Sequence, residues 1–358
     1  MPITADLADR TVAGVRRFCE SADVETDLLA GIAARIRPAV PWDTGVLFAT
    51  DPATTLFTDA HVMGFDPETC TPWFHHELNV EDVNLFRDLA GSGRVAVLSR
   101  TLDDPSTSAR HREVMRPLGL DAEVRMTADD AAGTWAALEL HREAGSRDFD
   151  HDEAALLAAL APLVADGLRR QATERAALAG AGVDGPGLLL VAPDGTVRPG
   201  TEAGAQWLSL LTPRGSQNLH SSLLTLSALR DRPGGTARLR VRAADGRWVT
   251  LHASPMCVGE GEETVVIVEP SGPSEVADLL ARAHGLSPRE REVALGLARG
   301  ESTEQLASSL FLSPHTVRDH LKAVFRKTGT SSRTELVSYL FNAWYAERLF
   351  GSTAHDEP

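Results

Sequence analysis

Helix-starting patterns recur at short intervals near the C-terminus, and they constrain the fold more than any other feature of this chain. The segment Ser287–Glu290 combines a serine N-cap, a proline at the first helical position and a capping-box carboxylate. Ser302–Gln305 and Ser332–Glu335 repeat the capping box, and Ser313–Pro314 starts a further helix. Gly300 falls where a chain that leaves a helix needs a positive φ angle. The spacing therefore predicts a small domain of four short, closely joined helices.

The third of these helices, residues 315–327, has two distinct faces. Its apolar residues recur at helical spacing and are expected to face a small core: Val317, Leu321, Val324 and Phe325. A second stripe is polar: His315, Arg318, Asp319 and Lys322. Between residues 315 and 333 the chain has five basic residues and one acid. Charge alone is equally compatible with a merely solvated face.

The order of the elements favours contact with DNA. Phe311–Leu312 forms a short turn between a helix at Thr303–Leu310 and the helix that begins at Ser313. In a helix-turn-helix, the second helix enters the major groove with residues near its N-terminus on base edges. The basic stripe would then lie against DNA.

This segment resembles the LuxR-type helix-turn-helix, the four-helix DNA-binding module of many bacterial transcription regulators. The matching residues are LSPREREV (286–293), ARGESTEQLA (298–307), LSPHTVRDHL (312–321), KTG (327–329) and SRTEL (332–336). Leu306 replaces the usual isoleucine, and Thr328 and Thr330 stand where apolar residues are common, which bears on the packing of the last turn. The resemblance implies base contacts from Arg318, Asp319 and Lys322. It also implies contacts with the sugar-phosphate backbone from Ser313, Thr316, His320 and Lys327.

The last predicted helix carries an apolar stripe that is wide for a domain of this size. Its members are Leu336, Val337, Leu340, Phe341 and Trp344. Either the stripe is simply the core of the domain, or part of it pairs two copies of the chain. The resemblance favours pairing, because LuxR-type modules typically dimerise through this helix and read two half-sites. We therefore expect a homodimer with this stripe as its interface.

Charge is distributed unevenly along the chain. The 358 residues carry a formal net charge of −15, with a pI near 5.2. Residues 287–358 contain nine basic and nine acidic residues, so residues 1–286 carry the whole negative charge. An acidic body repels nucleic acid, which confines DNA contact to the C-terminal domain. This asymmetry is typical of a regulator rather than of a general DNA coat.

Other chemistry-bearing motifs are missing from the sequence. Cys19, Cys70 and Cys257 form neither a zinc spacing nor a disulfide framework, which suits a reducing cytoplasm. The N-terminus lacks a signal-peptide pattern, and no apolar run is long enough to cross a bilayer. Phosphate-binding loops and hydrolase motifs are absent, so we expect no catalytic residues, no cofactor and no metal. The His-His-Glu run at His75–Glu77 is interpreted as a solvated helix start, because adjacent residues point apart on a helix.

The N-terminal half predicts an α+β arrangement. Apolar residues at helical intervals predict a helix over residues 5–37. Strands are predicted at residues 44–50, 56–62, 95–98 and 134–141. A last helix begins at Asp150 and runs to about Arg170. The predicted order is helix, antiparallel strands, helix.

This order, together with local sequence, resembles a GAF domain, a small-molecule sensing fold found before many output modules. The supporting segments are FDPETCTPWFHHE (65–77), EDVNLF (81–86), DAEVR (121–125), WAALELHRE (135–143) and FDHDE (149–153). They are similar to the GAF-like halves of actinobacterial regulators that carry the LuxR-type module. The resemblance implies a sensor domain over residues 1–172 with an unidentified small-molecule ligand.

Residues 186–270 predict a second sheet. Strands at residues 188–191, 237–241, 248–253 and 264–269 surround a helix near residues 203–211, and the turn at Asp245–Gly246 is a hairpin signal. The region loosely resembles a PAS-like α/β domain and lacks residues that attach flavin or haem. Arg238, Arg240 and Arg242 share one face, which we interpret as solvated. Residues 180–187 and the Pro-Ser-Gly-Pro run at 270–273 are interpreted as flexible joints, the second leading into a connecting helix at 275–284.

Together these features predict a multidomain, cytoplasmic, one-component transcription regulator. A GAF-like sensor and a PAS-like middle domain precede an all-α LuxR-type domain at residues 280–346. The expected partners are double-stranded DNA and a second copy of the chain, with RNA polymerase as a candidate and no membrane. Two other classes stay open: a protein-interaction adaptor, and a signalling enzyme with a helical C-terminal bundle.

Overall fold

The chain forms two antiparallel sheets followed by a helical C-terminal domain. The computed structural model describes residues 3–23, 26–65, 70–177, 183, 185–192, 196–212, 222–226, 237–245, 247–258, 261–337 and 339–340. No helix in this part of the chain combines the length and the apolarity needed to traverse a lipid bilayer.

The first sheet has five strands in the order β2-β1-β5-β4-β3, and every neighbouring pair is antiparallel. The strands are β1 Thr44–Thr50, β2 Phe57–Met63, β3 Val95–Val97, β4 Leu120–Asp130 and β5 Gly133–Glu143. Strand β4 is not among the predicted strands. Its alternating positions Glu123, Arg125 and Thr127 are polar yet buried, so the strand lacks the apolar pattern by which buried strands are recognised.

Helices flank this sheet. They are α1 Ala5–Ser21, α2 Leu28–Ile36, α3 Cys70–Asn79, α4 Phe86–Leu89, α5 Leu98–Thr101 and α6 His151–Ala177, with 3₁₀ turns at Pro105–Thr107 and Arg116–Leu118 and a π-helical turn at His111–Met115. The single helix predicted over residues 5–37 is wrong. The Asp27 side chain accepts from Ala30 N at 2.9 Å and starts a second helix there, and competing local bonds of this kind interrupt helices.

The two faces of the first sheet differ. Leu47, Val124, Leu138 and Leu140 on one face share a core with residues of α1, α2 and α6. The opposite face carries a cluster of aromatic rings and several buried charged side chains. His76 and Glu77 on α3 lie over that side and are each 6% exposed, so the solvated helix start predicted for them is wrong.

The second sheet repeats the topology of the first, in the order β7-β6-β10-β9-β8. Its strands are β6 Gly187–Val191, β7 Val197–Pro199, β8 Ala237–Arg242, β9 Trp248–Val258 and β10 Gly261–Pro270, and its helices are α7 Glu202–Leu211 and residues 222–226. Trp207 on α7 is fully buried against this sheet, with Leu189 and Leu251 in the same core.

The arginines of β8 hold domains together. Arg240 makes two hydrogen bonds to the Asp51 carboxylate of the first domain, at 2.7 and 2.8 Å. Arg242 Nη1 donates to the Ala172 carbonyl on α6 at 2.8 Å, and Arg238 pairs with Glu275. The solvated face predicted for these arginines is therefore wrong for Arg240 and Arg242, whose partners come from distant parts of the chain, whereas Arg238 remains exposed.

The second predicted joint is also wrong. Ser271 is 1% exposed, its N–H donates to the Trp248 carbonyl at 2.9 Å, and its hydroxyl lies 2.9 Å from that of Thr250. The connection from β10 to the next helix, α8 (Pro273–Ala283), is thus fixed by hydrogen bonds. Half of the first joint, residues 180–187, lies outside the described residues.

Candidate nucleic-acid interface

The C-terminal domain begins with the predicted capped helices. They are α9 Pro288–Ala298, α10 Thr303–Ser309 and α11 Pro314–Thr328, followed by helical residues 333–337 and 339–340. The hydroxyls of Ser287 and Ser302 each cap a helix by accepting from the N–H three residues later, that of Glu290 and of Gln305. The side chains of Glu290 and Gln305 in turn accept from the N–H of the capping serine, each at 2.7 Å. These two capping boxes are confirmed.

The third predicted box is only half present. Ser332 Oγ accepts from Glu335 N at 3.1 Å, as predicted. The Glu335 carboxylate instead takes hydrogen bonds from the N–H and hydroxyl of Ser331, which lower the pKa of Glu335. The helix still starts at the predicted place, because the N-cap serine is unchanged.

Helices α10 and α11 form a helix-turn-helix. Between them Phe311 has a φ of 56° and is 94% exposed, and Leu312 N donates to Ala307 O at 2.9 Å. Leu306 on α10 and Val317 on α11 meet Val293 of α9 in a small buried core. Val324 is also fully buried, and Leu321 and Phe325 are partly buried, as the apolar stripe predicted.

The residues expected to contact bases lie together on the exposed side of α11. Arg318, Asp319 and Lys322 are all exposed, and Lys322 Nζ donates to Asp319 Oδ1 at 3.1 Å. This hydrogen bond lowers the pKa of Asp319, so the carboxylate stays ionised at neutral pH. The arrangement offers cationic donors and one anionic acceptor, the groups that pair with guanine and with cytosine edges in the major groove.

The residues expected on the DNA backbone are arranged less uniformly. Ser313 is exposed, and its hydroxyl caps α11 by accepting from Thr316 N at 3.1 Å. Thr316 and His320 are half-buried. Lys327 donates to the Glu290 carboxylate at 2.6 Å and to the Gly285 carbonyl at 3.0 Å, so it ties the end of α11 to the start of α9.

The apolar stripe of the last helix is divided. Leu336 and Leu340 are fully buried within the chain, in a core shared with Leu280 on α8 and Leu297 on α9. Val337 is half-buried beside that core, and Phe341 and Trp344 lie outside the described residues. In this conformation two members of the stripe belong to the core that α8, α9 and α11 also line.

The C-terminal domain also contacts the turn between β4 and β5. Arg282 Nη1 on α8 and Arg291 Nη1 on α9 both donate to the Ala132 carbonyl, at 2.6 and 3.1 Å. Burial and the neighbouring Arg282 charge lower the pKa of Arg291. From the other direction, Arg169 on α6 donates to the Ala283 carbonyl at the end of α8, at 2.8 Å. These contacts could not be predicted from the sequence, because every residue has a backbone carbonyl and the residue type does not show which one accepts.

Residues 284–340 match the family described as bacterial regulatory proteins, luxR family. The described geometry and this match together define a LuxR-family helix-turn-helix domain at the C-terminus.

Similar proteins share this domain. The chain is 40% identical over 63 residues to the transcriptional regulatory protein UhpA of Escherichia coli, covering 18% of this chain and 32% of UhpA. It is 36% identical over 84 residues to the transcriptional regulatory protein FixJ of Bradyrhizobium diazoefficiens, covering 23% of this chain and 41% of FixJ. The match thus spans less than half the length of each relative.

A structural likeness extends further but is weak. The crystal structure of Escherichia coli SdiA covers 92% of this chain and 97% of its own, with a TM-score of 0.32 and 14% sequence identity. A score this low assigns no fold to the two sheet domains.

Proposed function

We propose that this protein is a sequence-specific, DNA-binding transcription regulator. The observation that carries the proposal is the exposed face of α11, where Arg318, Asp319 and Lys322 lie side by side on the second helix of a LuxR-family helix-turn-helix. Arg318, Asp319 and Lys322 would contact bases, and Ser313, Thr316, His320 and Lys327 would contact the backbone. The relatives UhpA and FixJ are named as transcriptional regulatory proteins, which supports the same class.

The working form would be a homodimer that reads two half-sites. Val337 supports this proposal, because it remains partly exposed at the edge of the last helix. Leu336 and Leu340 could join such an interface only if the core that they share with α8 opened. Pairing through this helix would therefore compete with the packing of α8, and the described conformation would be the unpaired one.

The two sheet domains would control this change. The first is proposed as a GAF-like sensor and the second as a PAS-like domain; the predicted order of helix, antiparallel strands and helix supports the first. The hydrogen bonds from Arg282 and Arg291 to Ala132 connect the proposed sensor directly to α8 and α9. A signal that loosens this contact would release the DNA-binding domain.

Genome-wide DNA occupancy of the full-length protein tests the function. The expected result is enrichment at a limited set of sites that share a two-fold sequence pattern, lost in Arg318→Ala. Uniform occupancy, or occupancy that Arg318→Ala does not alter, would contradict sequence-specific regulation. A salt-dependent gel shift on a recovered site then separates DNA binding from a protein-interaction role.

A further inference from the structure

A buried array of charged side chains lies on the first sheet, on the face opposite α1, α2 and α6. The strand register pairs Glu123 with His141 and Arg125 with Glu139 across β4 and β5. Because alternate residues of a strand point to the same side, the four side chains form a two-by-two array. Each of them is at most 3% exposed.

Ion pairs hold the carboxylates of this array. Arg110 binds Glu123 with two hydrogen bonds, at 2.9 and 2.8 Å. Arg125 Nη2 donates to Glu139 at 2.8 Å and to Glu77 on α3 at 2.7 Å. The paired hydrogen bonds from the Arg110 guanidinium favour the charged carboxylate form of Glu123, so this side chain is an anion inside the protein.

Three carboxylates, from Glu77, Glu123 and Glu139, face two guanidinium groups here, so the carboxylates outnumber these cations by one unless His141 carries a proton. Burial raises the pKa of Glu77, and the Arg125 charge opposes that rise. Both Glu77 oxygens accept hydrogen bonds, from Phe86 N and from Arg125, and such bonds favour the ionised form. A surplus negative charge in the interior is costly unless a cation compensates it.

His141 is the group that points to the nature of this cation. It is fully buried, and neither ring nitrogen has a hydrogen-bond partner among the described residues. Its Nε2 atom lies 3.5 Å from Glu123 Oε1, which is longer than a good N–H···O hydrogen bond. Two ligands at about 2.1 Å from one tetrahedral ion stand about 3.4 Å apart, so the observed separation fits a shared ion.

We propose that Glu123, Glu139 and His141 bind a divalent cation of the Zn²⁺ class. One ligand atom from each of the three lies within 4.8 Å of the others. Mixed imidazole and carboxylate ligands suit Zn²⁺ better than the oxygen-preferring Mg²⁺ or Ca²⁺. Three protein ligands leave a fourth position for water or for a ligand that enters the domain.

The arginines act as positioning residues for this site. A carboxylate has about four lone-pair sites, so Glu123 can accept both hydrogen bonds from Arg110 and still bind an ion. Outer hydrogen bonds of this kind orient metal-binding carboxylates in other proteins. The Trp73 ring, 4.6 Å from the His141 ring between centroids, fixes the imidazole from the other side.

The full-length protein, stripped with a chelator and dialysed, provides the test, with Zn²⁺ and Co²⁺ alone as probes. We expect one equivalent of Zn²⁺ to remain after dialysis at neutral pH and to raise the thermal unfolding temperature. Co²⁺ should give the strong visible absorption of a tetrahedral site. The proposed metal site is independent of the proposed DNA-binding function. Because these measurements need no DNA, the metal site and the DNA-binding function can be tested separately.

The variant His141→Phe keeps a ring against Trp73 and should lose Zn²⁺ retention. His111→Phe is the matched control, since His111 is also a buried histidine, 4% exposed, but its Nε2 lies 3.0 Å from Asp121 and not beside the proposed ligands. If His141→Phe does not fold, the near-isosteric Glu139→Gln replaces it, and the Co²⁺ spectrum of the unaltered protein stands by itself.

Three results would overturn the proposal. They are a stripped protein that retains no Zn²⁺, a His141→Phe variant that folds and retains as much as the unaltered chain, and a Co²⁺ spectrum of octahedral type. The first result would leave a proton on His141 as the compensating charge, and the site would then be a buried ion-pair network only.

Discussion

Arg291 Nη1, on the first helix of the DNA-binding domain, donates to the carbonyl oxygen of Ala132 at 3.1 Å, in the turn between β4 and β5. Ala132 is 1% exposed, so this contact is enclosed between the two domains. The same Ala132 carbonyl also accepts a hydrogen bond from Arg282 at 2.6 Å, so two arginines of the C-terminal region bind one buried acceptor. Release of the DNA-binding domain must break both bonds.

The double variant Arg282→Gln/Arg291→Gln should therefore bind DNA more tightly than the unaltered chain. Removing two positive charges would by itself weaken DNA binding, so a gain can come only from release. Fluorescence anisotropy at fixed salt measures it. The control Arg289→Gln/Arg299→Gln removes two exposed arginines that pair with nearby acids, and it should bind equally or more weakly. A loss in the first variant as large as in the control would contradict restraint by the sensor.

Arg318→Ala tests base recognition. If Arg318 contacts a base edge, its removal should cost about 1–3 kcal/mol on a specific site and much less on random DNA. Competition binding with both DNAs measures the difference. Arg289→Ala is the matched control, because Arg289 is an exposed arginine on α9. Equal losses on the two DNAs would assign Arg318 to the phosphate backbone instead.

Val337→Glu tests the dimer interface without opening the core. Val337 is half-buried, so the variant should fold and should lose binding to paired half-sites spaced about one helical turn apart. Sedimentation and gel shifts on single and paired half-sites measure both effects. Leu336→Glu places a charge at a fully buried position and should unfold the domain. A Val337→Glu protein that still pairs on DNA would locate the interface elsewhere.

His284 should make the stability of the C-terminal domain depend on pH. Its Nε2 lies 2.7 Å from the Tyr339 hydroxyl and its Nδ1 lies 3.2 Å from the Lys327 carbonyl, and burial lowers the pKa of the imidazole from 6.5. The folded state thus favours neutral histidine. This contribution is complete above the unfolded pKa and declines as pH falls below it toward the lowered value.

Thermal unfolding between about pH 7.5 and pH 5 should show this loss. His284→Gln should flatten the dependence in that window. His315→Gln removes an imidazole whose side chain is 81% exposed and should leave the dependence unchanged. The same slope in all three proteins would assign the pH effect to other groups.

Phe311→Asn should stabilise the helix-turn-helix. Phe311 adopts the left-handed conformation at φ 56°, which costs a residue other than glycine about 1–2 kcal/mol, and asparagine adopts this conformation more readily than phenylalanine. The exposed ring loses little packing on removal. Chemical denaturation should show a gain of about 0.5–1 kcal/mol. A loss of stability would mean that the Phe311 ring has a partner in solution.

The sequence by itself determined the helix-turn-helix. Its capping boxes pair residues within one helical turn: Ser287 with Glu290, and Ser302 with Gln305. Helix starts of this kind can be predicted because they depend only on residues that are close in sequence. The two faces of α11 likewise follow from helical spacing, which is why buried Val317 and exposed Arg318 could both be predicted.

Only the tertiary structure decided the contacts between distant segments. Strand register set Glu123 opposite His141, and domain packing set Arg240 against Asp51 and placed Leu340 in one core with residues of α8. From sequence alone, a charged residue in a strand is predicted to face solvent, because a charge is buried only where an oppositely charged or hydrogen-bonding partner compensates it. The partner is a property of the folded chain, and local pattern carries no information about it.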